Sequence, residues 1–266
     1  MSQFDWLVAA FPWTTFAAFD TETTGLEPKL NRVVEAGAIR FDALGVSARF
    51  NSLINPKIPM PPEVTKVNGI TDAMLAKEPD CAKVMPDFID FLGEAVLIAH
   101  NAPFDVAFIN EELARLGMQR LKNRVVDTRI FAKEIYPGLP SYRLQDLARN
   151  FGIEAIDAHR AEDDARVCME LFLVCLNRLR ETRPDLVQAA TTAQAGDTAD
   201  TDAAAVSVGQ HAPAGIGDPV AQAAAQGRPG TAVTRETEIE HALDEETLQE
   251  DLFGEDDLDG FPEEEA

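Results

Sequence analysis

Cysteine is scarce in this chain. Cys81, Cys168 and Cys175 follow no metal-ligand spacing, and three thiols close no disulfide framework. That excludes a disulfide-stapled module and a cysteine-ligated metal centre, and it favours a reducing compartment. Cys168 and Cys175 sit seven apart in a helical stretch, as buried thiols would. Long apolar runs are missing too. None approaches the ~20 residues that a membrane-spanning helix needs, so no membrane association is expected. The first residues lack the basic n-region of a signal peptide, and a cytoplasmic protein is expected. Basic residues are few, 23 against 46 acids, for a net charge of −23. A chain this acidic does not hold a polyanion through bulk charge. Any nucleic-acid contact must be local, through metal ions and selected Lys and Arg. The shortage is uneven: residues 1–185 hold 27 acids and 21 bases, residues 186–266 hold 19 acids and 2 bases.

What is present suffices for one substantial core. Phe4, Leu7, Val8 and Phe11 recur at helical spacing until Pro12, which predicts a short helix within residues 1–13. Phe16–Asp20 reads as a buried strand. Val33–Phe41 and Ala48–Ile54, joined around Gly45, read as an antiparallel hairpin beside it. Asn68-Gly69 marks a turn, and Thr71 suits a helix N-cap. A helix over Val84–Phe91, a strand over Ala95–Ala99 and a helix over 103–117 follow, with Pro103 in its first turn. Then come a short strand at Val125–Asp127 and helices at Thr128–Ile135, Leu144–Phe151 and Ala161–Arg180, the last turning Val167, Leu171, Val174 and Leu179 inward. Strands interleaved with helices indicate an α/β domain, and the hairpin makes its sheet mixed. Residues 189–232 contain no aromatic residue. The expected organisation is a domain over 1–185, a flexible linker over 186–235 and a disordered acidic tail over 236–266.

The chemistry concentrates in three places. Asp20 and Glu22 stand at i and i+2 at the end of the first strand, so both project from one face. Like charges held together beside an apolar strand repel unless a cation lies between them. Hard oxygen donors suit Mg2+ or Mn2+. Taken alone, the pair reads equally as two exposed turn acids. Asp105 lies one turn into the helix after an apolar strand, at the edge where α/β active sites gather. Asp164 lies in the first turns of the last helix, where the macrodipole also favours acids, so capping is the plainer role for Glu162, Asp163 or Asp164 alone. Together with His159, the four carboxylates form a set that a two-metal hydrolase could use.

Asp20-Thr21-Glu22-Thr23-Thr24-Gly25-Leu26, His100-Asn101-Ala102-Pro103-Phe104-Asp105 and His159-Arg160-Ala161-Glu162-Asp163-Asp164-Ala165 resemble, in order and spacing, the three motifs of the DEDDh exonucleases. The resemblance covers about residues 14–182. Within that family it is nearest to the proofreading epsilon subunits of bacterial DNA polymerase III and their stand-alone relatives. It implies an RNase H-like fold and 3′→5′ release of nucleoside monophosphates. By position, Asp20, Glu22, Asp105 and Asp164 would hold two divalent cations, Mg2+ or Mn2+, and His159 would deprotonate the attacking water. Two cations ~3.5–4 Å apart stabilise both the attacking and the leaving oxygen. Imidazole, titrating near neutrality, suits a general base. Leu26 and Phe104 are expected beside the terminal base, Asn101 as a polar contact and Thr23 at the terminal sugar hydroxyl; for Phe104 a core role is the rival. Asn68 stands where many relatives have histidine, with little expected effect on chemistry. Gln249-Glu250-Asp251-Leu252-Phe253 resembles the Gln-x-x-Leu-Phe peptide that binds the sliding clamp, with Leu252 and Phe253 as anchors and Gln249 fixing register. The leading function is a DNA exonuclease in proofreading or repair, acting on single-stranded 3′ ends, with a replicative polymerase or the sliding clamp as candidate partners. The rivals are a 3′→5′ RNA exonuclease in RNA turnover and a non-catalytic polymerase or clamp adaptor.

Overall fold

The computed structural model describes residues 2–197. Two units divide the chain, Met1–Gln194 and Ala195–Ala266, and the sheet and the helices that flank it lie in the first. The expected clamp residues Gln249, Leu252 and Phe253, the tail over 236–266 and most of the expected linker lie outside the described residues.

The elements run α1 (Trp6–Ala10), a 3-10 turn (Phe11–Trp13), β1 (Phe16–Thr23), β2 (Val33–Asp42), β3 (Gly45–Leu53), α2 (Pro62–Asn68), α3 (Asp72–Leu75), α4 (Cys81–Leu92), β4 (Val96–Ala99), α5 (Ala102–Arg115), β5 (Val125–Asp127), α6 (Thr128–Ile135), α7 (Leu144–Phe151), α8 (Ala161–Thr182) and α9 (Pro184–Asp197). The sheet order is β3-β2-β1-β4-β5. β2 is antiparallel to β1 and β3, while β4 is parallel to β1 and β5. The sheet is therefore mixed, as expected.

β1 is central, and its alternation builds two cores. Phe16 and Ala18 face the side covered by α8, where Phe16 packs 5.3 Å from Phe172 between ring centroids. Ala17 and Phe19 face α4 and α5, among Phe88, Phe108 and Ile109. Asp20 and Glu22 continue the first row by period 2, and Thr21 continues the second. Asp20 and Glu22 therefore project toward α8, and Thr21 toward α5. The antiparallel register sets Gly37 opposite Asp20 and Glu35 opposite Glu22. A Cβ on Gly37 would lie 2.2 Å from the Ala161 carbonyl carbon, so the bare glycine is what lets the start of α8 rest on the sheet beside Asp20.

The amino-terminal segment packs on this domain: Phe4, Leu7 and Val8 are buried, and the Phe4 ring lies 4.5 Å from Phe131. All three cysteines are free and buried, as the helical spacing of Cys168 and Cys175 suggested. Within α8 the inward row differs in one place. Val174 is only half-buried, and Phe172 and Cys175 hold the core positions around it. The expected linker also needs correction over residues 186–197, which are helical in α9. Proline at N1 suits the start of that helix, and Leu186 and Val187 pack against the core.

One half-buried side chain joins three elements at the carboxyl end of β5. Asp127, the last residue of β5, accepts hydrogen bonds from the Asn101 and Ala102 N–H groups at the start of α5 (3.2 and 3.0 Å). The same carboxylate accepts from the Arg129 and Ile130 N–H groups of α6 (2.8 and 3.4 Å). Four orphan donors of two helix starts are thus met by one residue.

Candidate active site

Donor oxygens of Asp20, Glu22 and Asp164 all lie within 4.8 Å of one another. β1 supplies the first two and the first turn of α8 supplies the third. Asp105 is buried in the first turn of α5, and its Oδ1 accepts from the N–H and the hydroxyl of Thr21 at 2.9 and 2.7 Å. It stands outside the three-carboxylate group but close enough that its charge acts on Asp20. Burial, and then the charges of Asp105, Asp164 and Glu22, hold Asp20 well above the usual carboxylate range. Burial and Asp164 do the same to Glu22, against a lowering hydrogen bond from Asn68. Burial pushes Asp105 to about 7 against the Thr21 hydrogen bonds. It pushes Asp164 to about 7 against the His159 N–H. Four acids that resist ionising in one place are what a divalent cation would relieve.

His159 is half-buried in the loop before α8, with φ +63°. Its backbone N–H donates to Asp164 Oδ2 at 3.1 Å. Glu162 and Asp163 turn away and serve structure: Glu162 pairs with Arg49, and Asp163 caps the Ile156 and Asp157 N–H groups. Of the expected substrate residues, Thr23 is buried, and its hydroxyl donates to the Gly25 carbonyl at 2.6 Å. Leu26 is half-buried in the loop after β1. That loop is tied to α5 by Arg115, which donates to the Pro28, Lys29 and Asn31 carbonyls. Asn101 takes φ +58° at the start of α5. Phe104 is half-buried with its ring 4.8 Å from Phe108, so it is in part a core residue.

An exonuclease family model, of the RNase T type, matches residues 17–172. The chain belongs to that exonuclease family. Over 171 residues it is 50% identical to DNA polymerase III subunit epsilon of Treponema pallidum (strain Nichols), covering 64% of this chain and 80% of that one. It is 37% identical over 166 residues to a PolC-type DNA polymerase III of Caldanaerobacter subterraneus subsp. tengcongensis. That match covers 62% of this chain but spans only 12% of the longer relative. A crystal structure of E. coli exonuclease I in complex with a dT13 oligonucleotide shares the fold, with a TM-score of 0.56 and 22% identity over 66% of this chain and 43% of that one. The architecture is the RNase H-like exonuclease fold.

Three further residues hold the carboxylate cluster or its surroundings in place. Asn68, set aside as outside the chemistry, is buried and donates from Nδ2 to Glu22 Oε2 at 3.2 Å. Gln145 in α7 donates to Asp164 Oδ1 at 2.8 Å. Glu35 is fully buried and takes both Nη2 and Nε of Arg160, at 2.7 and 3.0 Å, plus the Ala161 N–H at 3.2 Å. A single acid inside Val33-Val34-Glu35-Ala36 was the available signal for Glu35. Asn68 stood out only as a departure from its relatives, and nothing local marked Gln145; their partners lie 46 and 19 residues away.

Proposed function

We propose that the chain is a metal-dependent 3′→5′ DNA exonuclease that releases nucleoside monophosphates, in replication proofreading or repair. The observation that carries this is the convergence of Asp20, Glu22 and Asp164 within 4.8 Å, beside buried Asp105 and the His159 loop. These carboxylates fit hard divalent cations, Mg2+ or Mn2+, by donor type, closeness and reluctance to ionise together. Asp20, Glu22, Asp105 and Asp164 would hold two of them. When bound, such cations supply positive charge at the attacking and leaving oxygens of a phosphodiester.

The protein's own groups would then take these parts. His159 accepts the proton of the attacking water on a ring nitrogen, its backbone anchored through Asp164. Thr21 keeps the Asp105 carboxylate in one orientation. Thr23, Leu26, Asn101 and Phe104 border the terminal nucleotide, with Phe104 offering a ring face to its base. The partner is a single-stranded 3′ end of DNA. The relatives' names place two of them in DNA polymerase III, which supports work beside a replicative polymerase in the cytoplasm. The Gln249, Leu252 and Phe253 peptide extends this to a sliding clamp.

The test is degradation of matched 3′- and 5′-labelled single-stranded DNA and RNA oligonucleotides with Mg2+ or Mn2+. Wild type should give a 3′→5′ ladder on DNA that chelator and Asp20→Ala both abolish. Preference for RNA would move the function to RNA turnover. No metal-dependent cleavage of either would leave the adaptor reading.

A further inference from the structure

Two fully buried carboxylates outside the site are met by arginine. Glu112, fully buried in α5, takes Nε and Nη2 of Arg32 at 2.7 and 2.9 Å and Nη1 of Arg115 at 2.9 Å. Glu35 takes two nitrogens of Arg160. Both are carboxylates whose charge is cancelled by a guanidinium fork, and both fasten one element to another. The site carboxylates are treated otherwise. The donors seen on Glu22, Asp105 and Asp164 include the Asn68 amide, the Thr21 hydroxyl and N–H, the Gln145 amide and the His159 N–H, each of them uncharged. A neutral donor fixes where a carboxylate points and leaves its charge for something else.

The amide of Asn68 has its direction set independently. Gly69 turns the chain after α2 in the left-handed region (φ +66°), and the Ile70 N–H then donates to Asn68 Oδ1 at 3.1 Å. With Oδ1 so engaged, the NH2 end must face Glu22. Gln145, on a different element, holds one oxygen of Asp164 while the His159 N–H holds the other. We propose that Asn68 and Gln145 are positioning residues for the metal, setting its affinity by holding Glu22 and Asp164 in their ligand orientations without neutralising them. The inference rests on the metal-dependent reading above and deepens it.

Mn2+ titration calorimetry on the full chain tests it, with wild type, Asn68→Ala and Gln145→Met compared. Gln145→Met keeps the side chain's length and removes only the amide. Each variant should bind Mn2+ about 10–100-fold more weakly, the usual effect of losing a partner behind a metal ligand. The metal-free melting temperature of Gln145→Met should stay near that of wild type, and saturating Mn2+ should restore kcat. If Asn68→Ala fails to fold, Gln145→Met decides alone. Folded Gln145→Met with wild-type Mn2+ affinity, or with a kcat that no metal concentration recovers, overturns the inference. Wild type that binds no Mn2+ overturns the metal-dependent reading itself, which separates the two failures.

Discussion

Glu35 is fully buried, and a buried carboxylate stays ionised at little cost only when its charge and its lone pairs are both met. Arg160 meets the charge, and Arg160 with the Ala161 N–H meets the lone pairs. Replacing Arg160 by Met therefore strands an anion next to Glu22 and Asp164, and should cost about 3–5 kcal/mol in urea denaturation. Adding Glu35→Gln to Arg160→Met should recover part of that loss, because the stranded charge goes with it. Asp20, Glu22, Asp105, His159 and Asp164 were singled out in the sequence by the resemblance of their three runs to the exonuclease motifs, and the structure brings Asp20, Glu22 and Asp164 together. The contact of Asn68 with Glu22 was not legible there, since it depends on how α2 packs on β1. The sequence also offers no way to tell a carboxylate met by an amide from one met by an arginine.

The element that sets the site is α8, and its seat is decided by Gly37. In Gly37→Ala a methyl group would sit 2.2 Å from the Ala161 carbonyl carbon and 2.3 Å from the Glu162 nitrogen. Both are backbone atoms, so the first turn of α8 must move. The expected result is at least about 1–3 kcal/mol of lost stability, together with loss of most single-strand cleavage, because Asp164 rides on that turn and the preceding His159 loop is tied to Asp164. Urea denaturation and the labelled-oligonucleotide assay check the two parts separately. Most elements were readable from pattern alone: α6 and α7 fall at the expected residues, and the hairpin at its expected turn. Residues 186–197 were not, because the composition beyond Pro184 hides a helix that starts on a well-placed proline and packs Leu186 and Val187 on the core.

For the whole molecule, the crowded carboxylates link stability to pH and metal. Asp105 and Asp164 are pushed to about 7 by burial, so the folded metal-free chain holds protons that the unfolded chain has released. Stability from these groups is complete below the ordinary carboxylate range and is lost as pH rises toward 7. The metal-free melting temperature should fall between pH 5 and pH 8. Mg2+ binds the ionised site, so the rise it produces should be larger at pH 8. At 100 times its dissociation constant the gain is about 2.7 kcal/mol, or roughly 5–10 °C for a domain of this size. Scanning calorimetry with and without Mg2+ at both pH values measures it. An equal gain at pH 5 and pH 8 would contradict the linkage.

Asp127 carries a consequence for motion. Because one carboxylate holds the first N–H groups of α5 and α6, neither helix can fray at its start without loosening the other's anchor. The two starts form a single opening unit, although nearly 30 residues separate them in the chain. Hydrogen exchange should then report one shared protection for the Ala102 and Arg129 amides, and Asp127→Ala should lower both together. The shortest strand of the sheet would thus govern how often the helix bearing Asp105 breathes.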